Sequence, residues 1–443
     1  MSDTPAPPRA APPAAPGALA DTVRACGGAG LKLAAIGMLV LGLLVPQFFV
    51  ARLIAEREDR QAEVQAEIGR AWGQPQTVLA PLLVVPVRLP SDRTAGASER
   101  RAIAIPAAEL AMAATLQPER RRRGLFEAIV YTARIDFSGR IGDAAAALPA
   151  GAEPDWAAAH LITGASDLRP AADGPALRWA GRPLAVLGDG DGRCGPVQAM
   201  RWPLGLDGPP EPGSAFAGTM ELRGTGSLAL MPAARRAQLS VQGDWETPSY
   251  FGAGLPLRAA TDSGGFRAEW AGGMAERAIR LPSTDCGTAA LPAGMGVALL
   301  EAVPTYRMVN RTAKYATLFV LLAVMTYWLF ETVAGLRIHL VQYGLLGLSM
   351  VLFPLLLLAI AEPAGFAAAY GVSAALVMGQ ASLYTAAVTG RGGLAAIFAG
   401  VLAGLFGFLY VVLQSESMAL LAGALGLFAV LSAVMAATRR MAA

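Results

Sequence analysis

From Asn310 to Ser349 a cationic lead-in, Arg311 and Lys314, passes into an apolar run from Ala316 to Phe330, breaks over Glu331 to His339, and turns apolar again. An apolar run that reaches ~20 residues with its flanks crosses a ~30 Å hydrocarbon core as a helix. The connector between these two runs is too short for a domain, so they predict a helical hairpin in a bilayer. Carried to the end of the chain, the same pattern gives spans at about Ala316–Val333, Leu340–Ile360, Gly365–Val388, Leu394–Leu413 and Met418–Ala437. Gly365–Val388 is diluted by Gln380, Tyr384 and many small residues, a composition suited to an interior helix. An earlier run, Leu33–Ile54, is apolar apart from Gln47 and Arg52. It is longer than the ~7–15-residue apolar region of a cleaved signal peptide and no convincing cleavage site follows, so it predicts an uncleaved signal anchor.

Between the anchor and the hairpin the pattern changes twice. Ala55 to Trp72 is charged, with Val64, Ile68 and Trp72 at helical spacing, and predicts a polar helical stalk leaving the bilayer. From Gln74 to Tyr306, short apolar runs punctuated by Pro and Gly show period-two alternation, as in Met220, Leu222, Leu228 and Leu230 around Gly224 and Gly226. This predicts a mostly antiparallel β domain built of hairpins, long enough to bury its own core. The organisation expected is a disordered tail over 1–30, an anchor over 31–54, a stalk over 55–73, a β-rich domain over 74–310, a five-helix membrane domain over 311–437 and a tail over 438–443. The fold class is therefore a membrane α-helical bundle of about six transmembrane helices, with a large mostly-β (α+β) domain inserted between the first and second helices.

Composition agrees with this division. Of 443 residues 54% are hydrophobic and only 16% charged, against about 25% charged in ordinary globular domains. A net charge of +3 gives no argument for nucleic acid as a partner. Arg24, Lys32, Arg337, Arg391, Arg439 and Arg440 fall on one side of the membrane, while the short loops near Glu362 and Gln414–Ser417 carry no Lys or Arg. The positive-inside rule then puts both termini in the cytoplasm and the β domain outside, in a bacterium the periplasm. Arg52, Arg57, Arg311 and Lys314 oppose the rule, but they flank a long translocated segment, where charge counts for little. In an oxidising compartment Cys194 and Cys286 could form a disulfide, a pairing the sequence leaves open.

Candidate chemistry is sparse. Gly188-Asp-Gly-Asp-Gly-Arg-Cys-Gly195 lacks the ligand set of a calcium loop and reads as a surface turn. The basic run Arg120 to Arg123 could meet lipid phosphates or an anionic polymer, although most such runs are solvated loops. His160 and His339 are the two histidines, and neither sits in a zinc spacing or beside a nucleophile elbow. Glu331 lies at the end of a span, within reach of Arg337 or His339, and reads as an interfacial anchor. Gln342, Tyr343 and Gln380 are candidates for interhelical hydrogen bonds, and Gly400-x-x-x-Gly404 with Ala419-x-x-x-Gly423 for close packing of the last two spans on each other or on a second copy. The expectation is no catalytic site, no cofactor and no metal.

The run Arg311-Thr-Ala-Lys-Tyr-Ala-Thr-Leu-Phe319, then Phe330-Glu331-Thr332, then Arg337-Ile-His-Leu-Val-Gln-Tyr343 with Gly347-Leu-Ser349, resembles the CreD family of bacterial inner-membrane proteins. The likeness continues in Ile360-Ala-Glu362 and Gly365-Phe366. It extends through Glu56-Arg57, Pro81, Pro86, Arg123-Gly-Leu-Phe126, Ser166-Asp167 with Arg169, Trp245, Pro248-Ser249, Phe251-Gly252, Gly265-Phe266, Ala268 and Trp270. Leu340 and Glu246 stand where the family often has proline. The resemblance implies topology and a setting in cell envelope integrity and stress response, without a catalytic residue to carry over. It marks Arg311, Lys314, Tyr315, Glu331, Arg337, His339, Gln342, Tyr343 and Glu362 as the candidate functional or structural motif. Three readings follow. The first is an envelope protein whose β domain contacts a periplasmic or envelope partner, anchored in the lipid bilayer and able to self-associate. The second is a transporter or flippase with a polar path through the last spans, and the third an envelope enzyme using Asp167 and Arg169.

Overall fold

The computed structural model describes residues 17–90, 98–168, 174–187, 192–274, 279–281, 291, 293–301, 305–414 and 419–438. Cys286, Arg169, Arg439, Arg440 and the Gly188–Asp191 part of the glycine-rich loop lie outside them. The chain divides into two compact units, Asp59–Ala302 and the pair of segments Met1–Glu58 and Val303–Ala443.

The membrane unit consists of helices α1 (Gly17–Trp72, whose last turns belong to the other unit), α2 (Thr305–Ala334), α3 (Leu340–Ala364), α4 (Phe366–Thr389), α5 (Gly392–Gln414) and α6 (Ala419–Thr438). Among the described residues α1 to α5 are each long and apolar enough to cross a membrane, and α6 stands where the last span was expected. The expected hairpin forms as α2 and α3, which run antiparallel: Tyr306 at the start of α2 meets Glu362 at the end of α3, and Glu331 meets Tyr343 at the opposite ends. Helix α1 begins at Gly17, inside the stretch read as a flexible tail.

The β-rich unit has two sheets facing across one core. One follows the order Pro248–Gly252, Met295–Leu299, Ser227–Met231, Gln76–Pro90, His160–Ala165, Val197–Pro203, Arg193–Cys194, with Ser98–Ile105 branching from Gln76–Pro90. The other runs Arg258–Asp262, Gly265–Gly272, Ala234–Gly243, Ala107–Arg123, Phe126–Arg140, Ala215–Thr225, Ala176–Trp179, Arg182–Pro183. Alternation decides which side chains enter the core: Leu110, Met112, Ala114 and Leu116 are buried while Ala111, Ala113 and Thr115 are not. Gln76–Pro90 has neighbours on both sides and is buried almost continuously from Val78 to Val85, which explains its unbroken run of apolar residues.

Two sequence expectations need correction. The segment around Gly224 and Gly226 is no hairpin: Ala215–Thr225 belongs to one sheet and Ser227–Met231 to the other. Gly226, at φ 72°, makes the turn between them. Pairing is mostly antiparallel, as expected, with two exceptions: Gln76–Leu79 lies parallel to Leu228–Met231 and Ala107–Leu116 parallel to Ala234–Gly243. The polar stalk is in fact docked. Val64 and Ile68 pack on Ala128 and Val130, and Trp72 donates its indole N–H to Tyr131 O at 3.2 Å. Arg121 and Arg223 lie over the Trp72 ring at 3.9 and 4.7 Å.

The basic run ends the strand Ala107–Arg123, where each arginine pairs with a nearby carboxylate. Arg120 and Arg122 pair with Glu127, Arg121 with Glu119 and Arg123 with Glu67. Asp167, offered above as an enzyme residue, is tied into the sheet by Gln76, whose amide donates to Asp167 O and Arg223 O and accepts from Asp167 N. Close approach is visible at Gly224, where a Cβ would run into the Tyr131 ring. The Tyr131 hydroxyl donates to Ser227 O at 2.6 Å, and burial pushes that phenol far above its usual range.

Glu301 offers a pH test. Burial raises its carboxyl above the ordinary range, against the opposing pull of Arg120. The folded state therefore holds the proton more tightly than the unfolded chain, and stability falls as pH rises from the ordinary carboxylate pKa through the raised one. Glu301→Gln is expected to raise the melting temperature near neutral pH, and the gain should vanish below about pH 4. A gain that is the same at both pH values would contradict this.

Candidate functional site

Helix α1 presents one face to the rest of the membrane unit. Ile36, Leu43, Val50 and Ile54 are buried along it, whereas Met38, Leu41, Val45, Phe48 and Phe49 are exposed. Leu39 and Leu43 sit against Gly344 and Gly347 of α3, where the absence of a side chain lets the helices approach. Lys32, Gln47 and Arg57 recur on the same face, and each reaches a partner on another helix.

At the α2–α3 turn, the Lys32 ammonium pairs with Glu331 and donates to Ile338 O at 2.8 Å. The Tyr343 hydroxyl donates to the other Glu331 oxygen at 2.8 Å. One carboxylate thus joins three helices. Its partners are Lys32 and Tyr343 and not Arg337 or His339: Arg337 is exposed in the connector, and His339 caps α3. The His339 ring accepts from Val341 N at 3.3 Å, while Gln342 Oε1 accepts from His339 N at 2.9 Å, closing a capping box. Arg391 donates to Ala334 O at the end of α2.

Midway, Gln47 donates to Thr317 Oγ1 at 2.7 Å. At the far ends of the helices, Glu362 accepts from Tyr306 at 3.1 Å and faces Arg57 at 4.0 Å, while Asn310 donates to Glu58 at 3.2 Å. Arg311 donates to the last carbonyls of α5, Val412 O and Leu413 O, at 3.3 Å each. Lys314 is exposed and Tyr315 half-buried.

Between these polar ends the interior is aromatic. Phe406 lies 4.9 Å from Phe319 and 4.6 Å from Phe353, and Tyr370 packs on Phe353 while donating to Phe406 O at 2.7 Å. Tyr327 joins Thr385 at 2.8 Å, and Ser349 donates to Gln380 at 3.2 Å. Among the described residues of one chain a Cβ at Gly400, Gly404 or Gly423 would meet nothing within 4 Å, whereas Gly426 receives Phe408.

The sequence reading named Glu331, His339, Gln342, Tyr343 and Glu362; it did not name Lys32 as a partner of Glu331, Arg57 and Tyr306 as partners of Glu362, or Gln47 as the partner of Thr317. A signal for the α1 residues was present. Lys32, Ile36, Leu39, Leu43, Gln47, Val50, Ile54 and Arg57 are separated by three or four residues throughout, the spacing of a single helix face.

The family model described as Inner membrane protein CreD matches residues 29–442. Inner membrane protein CreD of Escherichia coli (strain K12) is 28% identical over 428 residues, covering 93% of this chain and 92% of that protein. Among solved structures, an M1 zinc metallopeptidase from Deinococcus radiodurans overlaps 48% of this chain and 53% of its own at 12% identity, with a TM-score of 0.22. A likeness that slight bears on neither fold nor chemistry.

Proposed function

Because the chain belongs to the CreD family of inner-membrane proteins, we propose that it is a non-catalytic envelope protein: the helical unit anchors a periplasmic β-rich unit that contacts an envelope partner, in support of envelope integrity or the response to envelope stress. Both termini are cytoplasmic in this reading. The observation that carries it is how the polar residues of the membrane unit are used. Lys32, Gln47, Arg57, Glu331, Tyr343 and Glu362 fasten helices to one another, around an interior filled by Phe319, Phe353 and Phe406. Ionisable groups in a bundle usually mark a substrate or ion path; here they are engaged in holding α1. The disulfide at buried Cys194 supports an oxidising compartment for the β-rich unit.

The test has two parts, both on the full chain in cells. A membrane-impermeant thiol reagent should label Ser138→Cys in intact spheroplasts and leave Arg391→Cys unlabelled until the membrane is opened. A photocrosslinking residue replacing exposed Leu257 or Ser138 should capture a discrete envelope component. Reversed labelling would overturn the orientation. Absence of any crosslink, together with lipid or solute movement by purified protein in liposomes, would overturn the role.

A further inference from the structure

The fastening of helices uses Arg311 only in part and leaves Lys314 and Tyr315 unexplained. Beside them, α2, α5 and α6 enclose a groove of about 550 Å³ lined by Leu318, Phe319, Leu405, Leu409, Phe428 and Leu431, with Tyr315 and Val412 toward one end. On α2 the groove is lined by Tyr315, Leu318 and Phe319, and the cations of this helix lie within a turn before them. Arg311 comes first, Lys314 and Tyr315 one turn on, then Leu318 and Phe319 another turn on. From Val412 to Leu405 the groove runs seven residues along α5, about 10 Å at helical rise. That is most of one leaflet's share of a ~30 Å hydrocarbon core.

We infer that this groove binds a diacyl phospholipid with an anionic headgroup, one acyl chain lying against Phe319, Leu405 and Phe428 and the phosphate held by Lys314 and Arg311. An apolar slot alone would accept any lipid chain, so the specificity lies at the mouth. Arg311 uses Nη1 and Nη2 on Leu413 O and Val412 O, which fixes the guanidinium beside Val412. A guanidinium carries five donors, so further ones are free for a phosphate. Lys314 is exposed and, among the described residues, makes no ion pair. Tyr315 brings a phenol to the same level, where an amphipathic ring suits the boundary between headgroup and acyl chain. Two cations within one helical turn of an apolar slot complement a phosphate that carries no compensating ammonium better than a zwitterionic headgroup.

The experiment is native mass spectrometry of the full chain, purified and equilibrated with equal amounts of phosphatidylglycerol and phosphatidylcholine of matched acyl chains. The wild type should hold phosphatidylglycerol at its first site with a preference of about tenfold, the scale of one or two charge-assisted hydrogen bonds. Lys314→Gln should reduce that preference several-fold, and Arg311→Gln with Lys314→Gln should remove it. Gly423→Leu, which intrudes on the groove and leaves the cations in place, should lower occupancy by both lipids. Equal retention of the two lipids by the wild type would overturn the proposal. So would an undiminished preference in Lys314→Gln, whose exposed side chain can be replaced without disturbing the fold.

Discussion

Replacing Glu331 by alanine should loosen the membrane unit more than any other single change at its polar ends. The substitution leaves the Lys32 ammonium with Ile338 O alone, without a counter-charge, and the buried Tyr343 hydroxyl without its acceptor. Removing one member of a buried charged pair costs about 3–5 kcal/mol. Here the Lys32 side chain is 37% exposed, so solvent screens part of the loss, and hydrogen bonds between membrane helices average well below their apparent strength. An expected cost of about 1–3 kcal/mol follows. Denaturant titration of the full chain in detergent would measure it. Glu331→Gln keeps an acceptor for Tyr343 and loses the charge, so it should fall between wild type and Glu331→Ala. The Lys32→Ala, Glu331→Ala double variant should cost less than the two singles summed. Strict additivity would mean that the pair contributes nothing as a pair.

A larger loss is expected in the β-rich unit from Trp202→Ala, at about 3–5 kcal/mol. Trp202 is 2% exposed and stands opposite Leu161 in the sheet, inside the core that both sheets share. Truncation removes the largest fully buried side chain and opens a cavity that flanking strands, held by their ladders, cannot close. Trp202→Phe should cost much less. The indole Nε1 has no hydrogen-bond partner among the described residues, so phenylalanine retains most of the apolar contact and removes a buried donor that was unsatisfied. Proteolytic susceptibility of the full chain across a temperature series would rank the variants. If Trp202→Phe proved as damaging as Trp202→Ala, the indole N–H would have to be doing something other than sitting unpaired.

Much of the architecture was readable because it is local. The spans follow from runs of Leu, Val and Ala whose meaning depends on immediate neighbours. Period-two alternation around Leu110, Met112 and Ala114 marks a strand whatever lies beside it. The errors came where a local pattern has two solutions. Met220 to Leu230 looks like a hairpin because alternation continues through Gly224 and Gly226, yet the turn at Gly226 sends the second half to the other sheet. Val64, Ile68 and Trp72 do make a helix face, but their spacing does not say whether that face meets solvent or Ala128 and Val130. Among the candidate residues, Glu331 stood out as a carboxylate in a span. Its neighbours in sequence, Arg337 and His339, proved to be the wrong partners.

By itself, then, the sequence determined which stretches are long and apolar enough to cross a bilayer and, for most of the chain, which are helix or strand, because hydrophobic periodicity is a property of consecutive residues. Only the tertiary structure decided that Lys32 closes on Glu331 across 299 positions, that Gln76–Leu79 runs parallel to Leu228–Met231, and that the stalk is docked. Each of these is a choice among chemically similar partners distant in the chain, made by which arrangement buries the most apolar surface while leaving the fewest polar groups unpaired.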